Sequence, residues 1–221
     1  MDGLRPDILA NAAPLLIEGL WVTIKLSLVS FICALCIGLF VGVFRSKSDF
    51  HRKLLAPYVE VFRGTPLLIQ LFFIYYGLPS IGFTLDNYAA GIIGLSLNGG
   101  AYISEIIRGA LISVCRGQMD AAYALGFSWG RSMIHVILPQ AVSVAIPPLV
   151  NSFSALLKES SLVSVLAITE LTRVSQLIYT RTFRAFEVYL AVGLLYLIMT
   201  YAASRISIYL ERTFHVSGRI R

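Results

Sequence analysis

Asn98, Tyr102 and Glu105 are spaced by four and three residues. On a helix of 3.6 residues per turn this sets their side chains within about 60 degrees of one another, as one polar stripe. Gly99, Gly100 and Ala101 beside them allow close helix packing or backbone approach. On another apolar run Arg63 follows Glu60 by three residues, with Gln70 near the same face, and Lys158, Glu159 and Ser161 close a third run. These residue types suit recognition by charge and hydrogen bonds: Arg and Lys for a carboxylate, Glu for an ammonium, Asn, Tyr and Ser for a polar group. Ionisable groups within bilayer-spanning runs are costly, so each is a functional candidate whose partner must be named. The competing reading is internal pairing, Glu60 with Arg63 and Glu105 with Arg108, and for Glu105 it is the preferred one because that pair approaches the cytoplasmic end.

Other chemistries find little support. His51, His135 and Glu170 have no metal-ligand spacing, and no Gly-x-x-x-x-Gly-Lys-Ser/Thr loop occurs, so this chain is not expected to hydrolyse ATP or to hold a cofactor or metal. Gly91, Gly94, Gly99 and Gly100 read as packing glycines. No serine–histidine pair or paired aspartates in the spans point to an intramembrane enzyme. Cys33, Cys36 and Cys115 form no disulfide framework or zinc site and read as small apolar fillers.

The elements that must carry these groups follow from composition. Of 221 residues, 57% are apolar and 14% charged, and the mean hydropathy is +0.78. A globular chain carries about 25% charge, so this is an all-α polytopic membrane protein. At roughly 20 residues per crossing, five spans consume most of the chain and leave no room for a soluble engine. They are expected at 12–44, 54–78, 88–114, 136–157 and 188–209, and the short apolar stretch of seven residues Leu162–Ile168 cannot cross. The first run is too long for a cleaved signal peptide, and its outer part, with Glu18 and Lys25, is placed in the interface. Tyr75 and Tyr76 read as aromatic-belt anchors. The net charge of +6 could suit a nucleic-acid binder, but the basic residues lie in candidate cytoplasmic loops. Arg45–Lys53 holds four Lys or Arg in nine residues, and Arg108, Arg116, Arg131 and the basic tail follow the same pattern. Positive-inside counting then sets the C-terminus in the cytoplasm and the N-terminus outside.

The cytoplasmic segment Gly117–Pro139 is the most specific stretch. Asp120 is a good first residue for a short helix through Ala121, Ala122 and Leu125, which share one face, and Gly126 ends or bends it. Asp120-Ala-Ala, Gly126 and Leu138-Pro139 resemble the cytoplasmic Glu-Ala-Ala loop of permease subunits in binding-protein-dependent ABC importers. Two departures are Asp120, where that family usually has Glu, and Val136 in place of Ile. Arg63-Gly-Thr-Pro-Leu-Leu-Ile-Gln70 and Leu157-Lys-Glu-Ser-Ser-Leu162 are similar to stretches of the polar amino-acid branch, and the three motifs stand in the expected order.

The resemblance implies a type I ABC importer permease, one domain over 1–221. Its loop (about 117–139; Asp120, Ala121, Ala122, Gly126, Leu138, Pro139) would dock in a separate ABC ATPase that binds the ATP. An extracytoplasmic binding protein would deliver the substrate, and a second permease subunit, identical or homologous, would complete the path in the bacterial inner membrane. An amino-acid substrate would find its zwitterion partners among Arg63, Asn98, Tyr102, Lys158, Glu159 and Ser161. Ile74-Tyr-Tyr-Gly-Leu-Pro79 and Ile93-Gly-Leu-Ser-Leu-Asn98 look most like cystine-type permeases, although arginine, glutamine and histidine importers share much of the pattern. The alternative function is a self-contained proton-coupled carrier using Glu60 and Glu105. The lack of an internal repeat counts against it.

Overall fold

The computed structural model describes residues 6–114 and 116–213, built of helices with no strand among them. The sequence readings of Cys115 and of the basic tail at 214–221 fall outside the described residues. Helix α1 (Pro6–Lys47) has 42 residues. At 1.5 Å per residue it measures about 63 Å, twice the thickness of a hydrocarbon core.

Small side chains line the inner face of α1: Thr23, Ser27, Ser30, Ala34, Gly38 and Gly42 are all buried. Helix α4 (Asn87–Ser113) lies against this stripe so closely that side chains would not fit. A Cβ on Gly38 would stand 2.4 Å from Ile103 Cγ2, and one on Gly42 2.7 Å from the Ser104 carbonyl. Where lipid removes the hydrophobic drive between helices, such backbone approach supplies the packing. Cys33 and Cys36, read as small apolar fillers, are free and exposed on α1.

The expected straight span over 54–78 is instead a broken one. Helix α2 (Asp49–Gly64) and the helical run from α3 (Leu67–Phe72) to Ile81 are bent by 105° at Thr65–Pro66. Proline is the cause: Pro66 has no N–H, so the Phe62 carbonyl loses its α-helical donor. Other groups replace it. Asn98 Nδ2 and Gln70 Nε2 each donate to Phe62 O at 2.9 Å, and Thr65 Oγ1 donates to Val61 O at 2.7 Å. Gln70 Nε2 also donates to Thr65 O at 3.0 Å, and Asn98 Nδ2 to Gln70 Oε1 at 3.1 Å.

Past α4 the chain forms α5 (Arg116–Ala124), α6 (Trp129–Ser132), a π turn over Met133–Ile137, and α7 (Leu138–Glu159). The π turn precedes Pro139, whose missing N–H disrupts the α register of the carbonyls behind it. A 3-10 turn, Ser160–Leu166, leads to α8 (Leu171–Thr182) and then to α9 (Ala185–Thr213). With 12 residues, α8 is too short to cross a bilayer. Fully buried Glu170 caps it. Glu170 Oε1 accepts from Arg173 N and Oε2 from Thr172 N, both at 2.8 Å, while Tyr196 Oη on α9 donates to Oε2 at 3.0 Å. Leu171 N donates to Thr23 Oγ1 on α1 at 3.1 Å, so the cap ties α8 to two long helices.

Four stretches among the described residues are long and apolar enough to cross a membrane: 8–47, 87–113, 129–166 and 185–206. The bent pair 49–64 with 67–81 makes five, the number expected from composition.

Candidate functional site

A cavity of about 560 Å³ opens where α2 breaks, between α2, α4 and α7. Arg63 comes from the end of α2, Asn98, Tyr102 and Glu105 from α4, and Pro148, Asn151, Ser152 and Glu159 from α7. The break therefore does two things: it delivers Arg63 beside α4 and it makes room next to the polar stripe.

The groups differ in how far they are committed. Asn98 spends its amide on Phe62 O and Gln70 Oε1, which leaves its carbonyl oxygen for the cavity. The Arg63 guanidinium lies 5.3 Å over the Tyr102 ring and only 3.9 Å from Glu105 Oε2, so it is loosely held. Glu105 is held by more than Arg63. Arg45 of α1 bonds its Oε1, and Arg108 bonds its Oε2 through Nη2 at 2.9 Å and Nε at 3.2 Å. Arg45 is nine-tenths buried and its Nε has no hydrogen-bond partner among the described residues. Glu159 makes no ion pair or hydrogen bond with any described residue.

Four of the six expected path residues, Arg63, Asn98, Tyr102 and Glu159, converge on this cavity. Lys158 and Ser161 do not line it, and Lys158 is exposed. Consecutive helical residues point about 100 degrees apart, so a helix that aims Glu159 into the cavity turns Lys158 away. Ser161 lies beyond α7, in the 3-10 turn. The expected Glu60–Arg63 pair is absent: Arg63 turns to Glu105, and Glu60 is exposed with no ion pair among the described residues. The expected Glu105–Arg108 pair exists, yet Glu105 also lines the cavity, which its reading as an interface pair did not foresee. Asn151 and Ser152 were missed. Their signal was present as a stripe at 148, 151, 152, 155 and 159, one face of α7.

The loop expectations also meet a correction. Helix α5 starts four residues before Asp120, which therefore sits inside the helix rather than at its head. Ala122 is buried while Ala121 and Leu125 are exposed, so the expected shared face is split by packing beneath the helix. Gly126 ends the helix as expected, with φ of +78° that favours glycine. Gly126 N donates to Tyr123 O at 2.9 Å and Phe127 N to Ala122 O at 3.0 Å, a Schellman closure. It leaves Tyr123, Leu125 and Phe127 exposed around the turn, with Leu125 at 78%. Leu138 and Pro139 open α7.

Four long apolar helices and a broken fifth span, set beside a cavity with charges of both signs, are the architecture of a membrane transport protein. Residues 34–216 match the family described as "Binding-protein-dependent transport system inner membrane component", and the chain belongs to that family. It is 40% identical to the L-cystine transport system permease protein TcyB of Bacillus subtilis (strain 168) over 90% of this chain and 86% of that one. It is 39% identical to the glutamine transport system permease protein GlnP of Escherichia coli (strain K12), over 93% and 95% of the two chains. Its fold superposes on a chain described as "Crystal structure of an amino acid ABC transporter with histidines" with a TM-score of 0.89 and 36% identity, covering 96% of this chain and all of that one. A chain of the MetNI methionine ABC transporter has the same fold, with a TM-score of 0.79 at 22% identity. The protein is a multi-pass inner-membrane permease subunit of an ATP-driven ABC importer, and the carrier reading is set aside.

Proposed function

We propose that this permease moves a polar amino acid through the cavity between α2, α4 and α7. The observation that carries the reading is a loosely held guanidinium, Arg63, and an uncommitted carboxylate, Glu159, on the walls of one 560 Å³ cavity. They suit the carboxylate and ammonium of a zwitterion, with Asn98, Asn151 and Ser152 for its polar groups. Relatives named for cystine and glutamine transport support that substrate class, cystine included.

The remaining assembly follows from the same reading. The N-terminus lies outside and the C-terminus in the cytoplasm, from the basic residues at 45–53 and 131. A separate ABC ATPase binds the ATP and seats the Asp120–Pro139 loop, where Ala121, Tyr123, Leu125 and Phe127 offer an exposed, partly apolar surface ended by Gly126. An extracytoplasmic binding protein delivers substrate, and a second permease subunit, identical or homologous, flanks the path.

The test is uptake of labelled glutamine and cystine by proteoliposomes holding the copurified complex. Arg63→Ala and Glu159→Gln should each lower uptake at least about tenfold. Gly126→Leu should abolish uptake with membrane insertion intact, because the turn requires positive φ. Full uptake by the first two variants would overturn the cavity as the path, and full uptake by Gly126→Leu would overturn the docking loop. Accumulation driven by a proton gradient without ATP would overturn the proposed coupling.

A further inference from the structure

We infer that the cavity selects amino acids whose side chains carry no net charge and discriminates against cationic ones such as arginine and lysine. This rests on the proposed path and deepens it. A cationic substrate needs two carboxylates from the cavity, one for its α-ammonium and one for its side chain. Two carboxylates line it, Glu105 and Glu159, but they are not equally available.

Glu105 is saturated. Arg45 occupies Oε1 and Arg108 occupies Oε2, and neither bond depends on Arg63, whose own contact with Glu105 is longer, at 3.9 Å. Three guanidiniums against one carboxylate leave two positive charges in surplus, and Glu159 reduces the surplus to one. A second positive charge in this space is repelled by that surplus, least screened toward Arg45 at 10% exposure and more screened toward Arg63 at 42%.

A neutral zwitterion fits what remains: its carboxylate on Arg63, its ammonium on Glu159, and its side chain among neutral polar groups. Cystine passes the same filter, because its second half adds one charge of each sign. An acidic side chain would compete with the α-carboxylate for Arg63, the one guanidinium among the described residues that lines the cavity.

Arg45 does not line the cavity, so its role is to keep Glu105 neutralised, a positioning role that selectivity can reveal. The experiment titrates the full chain in lipid nanodiscs with tritiated glutamine, arginine and glutamate. Glutamine is expected to bind at least about tenfold more tightly than either charged amino acid. Arg45→Gln should shift the arginine-to-glutamine ratio about tenfold toward arginine by partly freeing Glu105, while Arg45→Lys should keep the original ratio. Arg108→Gln provides the same readout if Arg45→Gln fails to fold. Arginine binding as tightly as glutamine would overturn the charge filter and leave the amino-acid path standing, as would an unchanged ratio in the folded variant. Failure of all three ligands to bind would overturn the path itself and the filter with it.

Discussion

Two glutamates in this molecule are held in opposite ways. Glu170 is fully buried and satisfied by neutral donors: two backbone N–H groups of α8 and the Tyr196 hydroxyl. Glu105 is partly open to a cavity and shared by three guanidiniums. The first network is closed, with each carboxylate oxygen used to join helices. The second has more cations than its carboxylate requires, and the surplus guanidinium faces the space where a ligand would sit. A satisfied buried acid marks architecture, while an oversupplied one beside a cavity marks a site.

The contrast is testable, and the largest effect falls on the closed network. Glu170→Ala should destabilise the protein by about 2–3 kcal/mol, because two N–H groups and a buried hydroxyl lose their acceptor. Thermal unfolding in nanodiscs measures it, and a loss under 1 kcal/mol would place Glu170 outside the architecture. The same network predicts a pH dependence. Burial raises the Glu170 carboxyl above the ordinary range, outweighing the lowering by its backbone and side-chain hydrogen bonds. The native state thus binds this proton more tightly than the unfolded chain does. The resulting stabilisation is complete below the ordinary carboxylate pKa and is lost as pH rises through the elevated one. The stability difference between the natural protein and Glu170→Gln should therefore shrink as pH rises through that window, and a difference that grows would contradict the sign. The smallest effect is expected from Tyr196→Phe, which removes one donor and should cost about 1 kcal/mol with amino-acid selectivity unchanged.

Local patterns made much of this legible before any tertiary contact was known. The stripe of Asn98, Tyr102 and Glu105 lies on one helix, so spacing alone sets its direction. Gly126 was readable for the same reason, since a turn needing positive φ is a local demand. The partner of Arg63 was not. Glu60 is nearest in sequence, but the proline break turns the end of α2 toward α4, where Glu105 already gathers Arg45 from 60 residues away. The buried side of Ala122 was equally hidden, because it depends on what packs beneath α5.

The sequence by itself determined the solvent, the number of crossings and the family, because hydropathy, length and motif spacing are properties of contiguous residues. Tertiary structure alone decided which charges meet. The 105° break, the burial of Arg45 and the saturation of Glu105 all arise from helices distant in sequence. In a low-dielectric interior, which partner a charge finds matters more than which charges the chain contains.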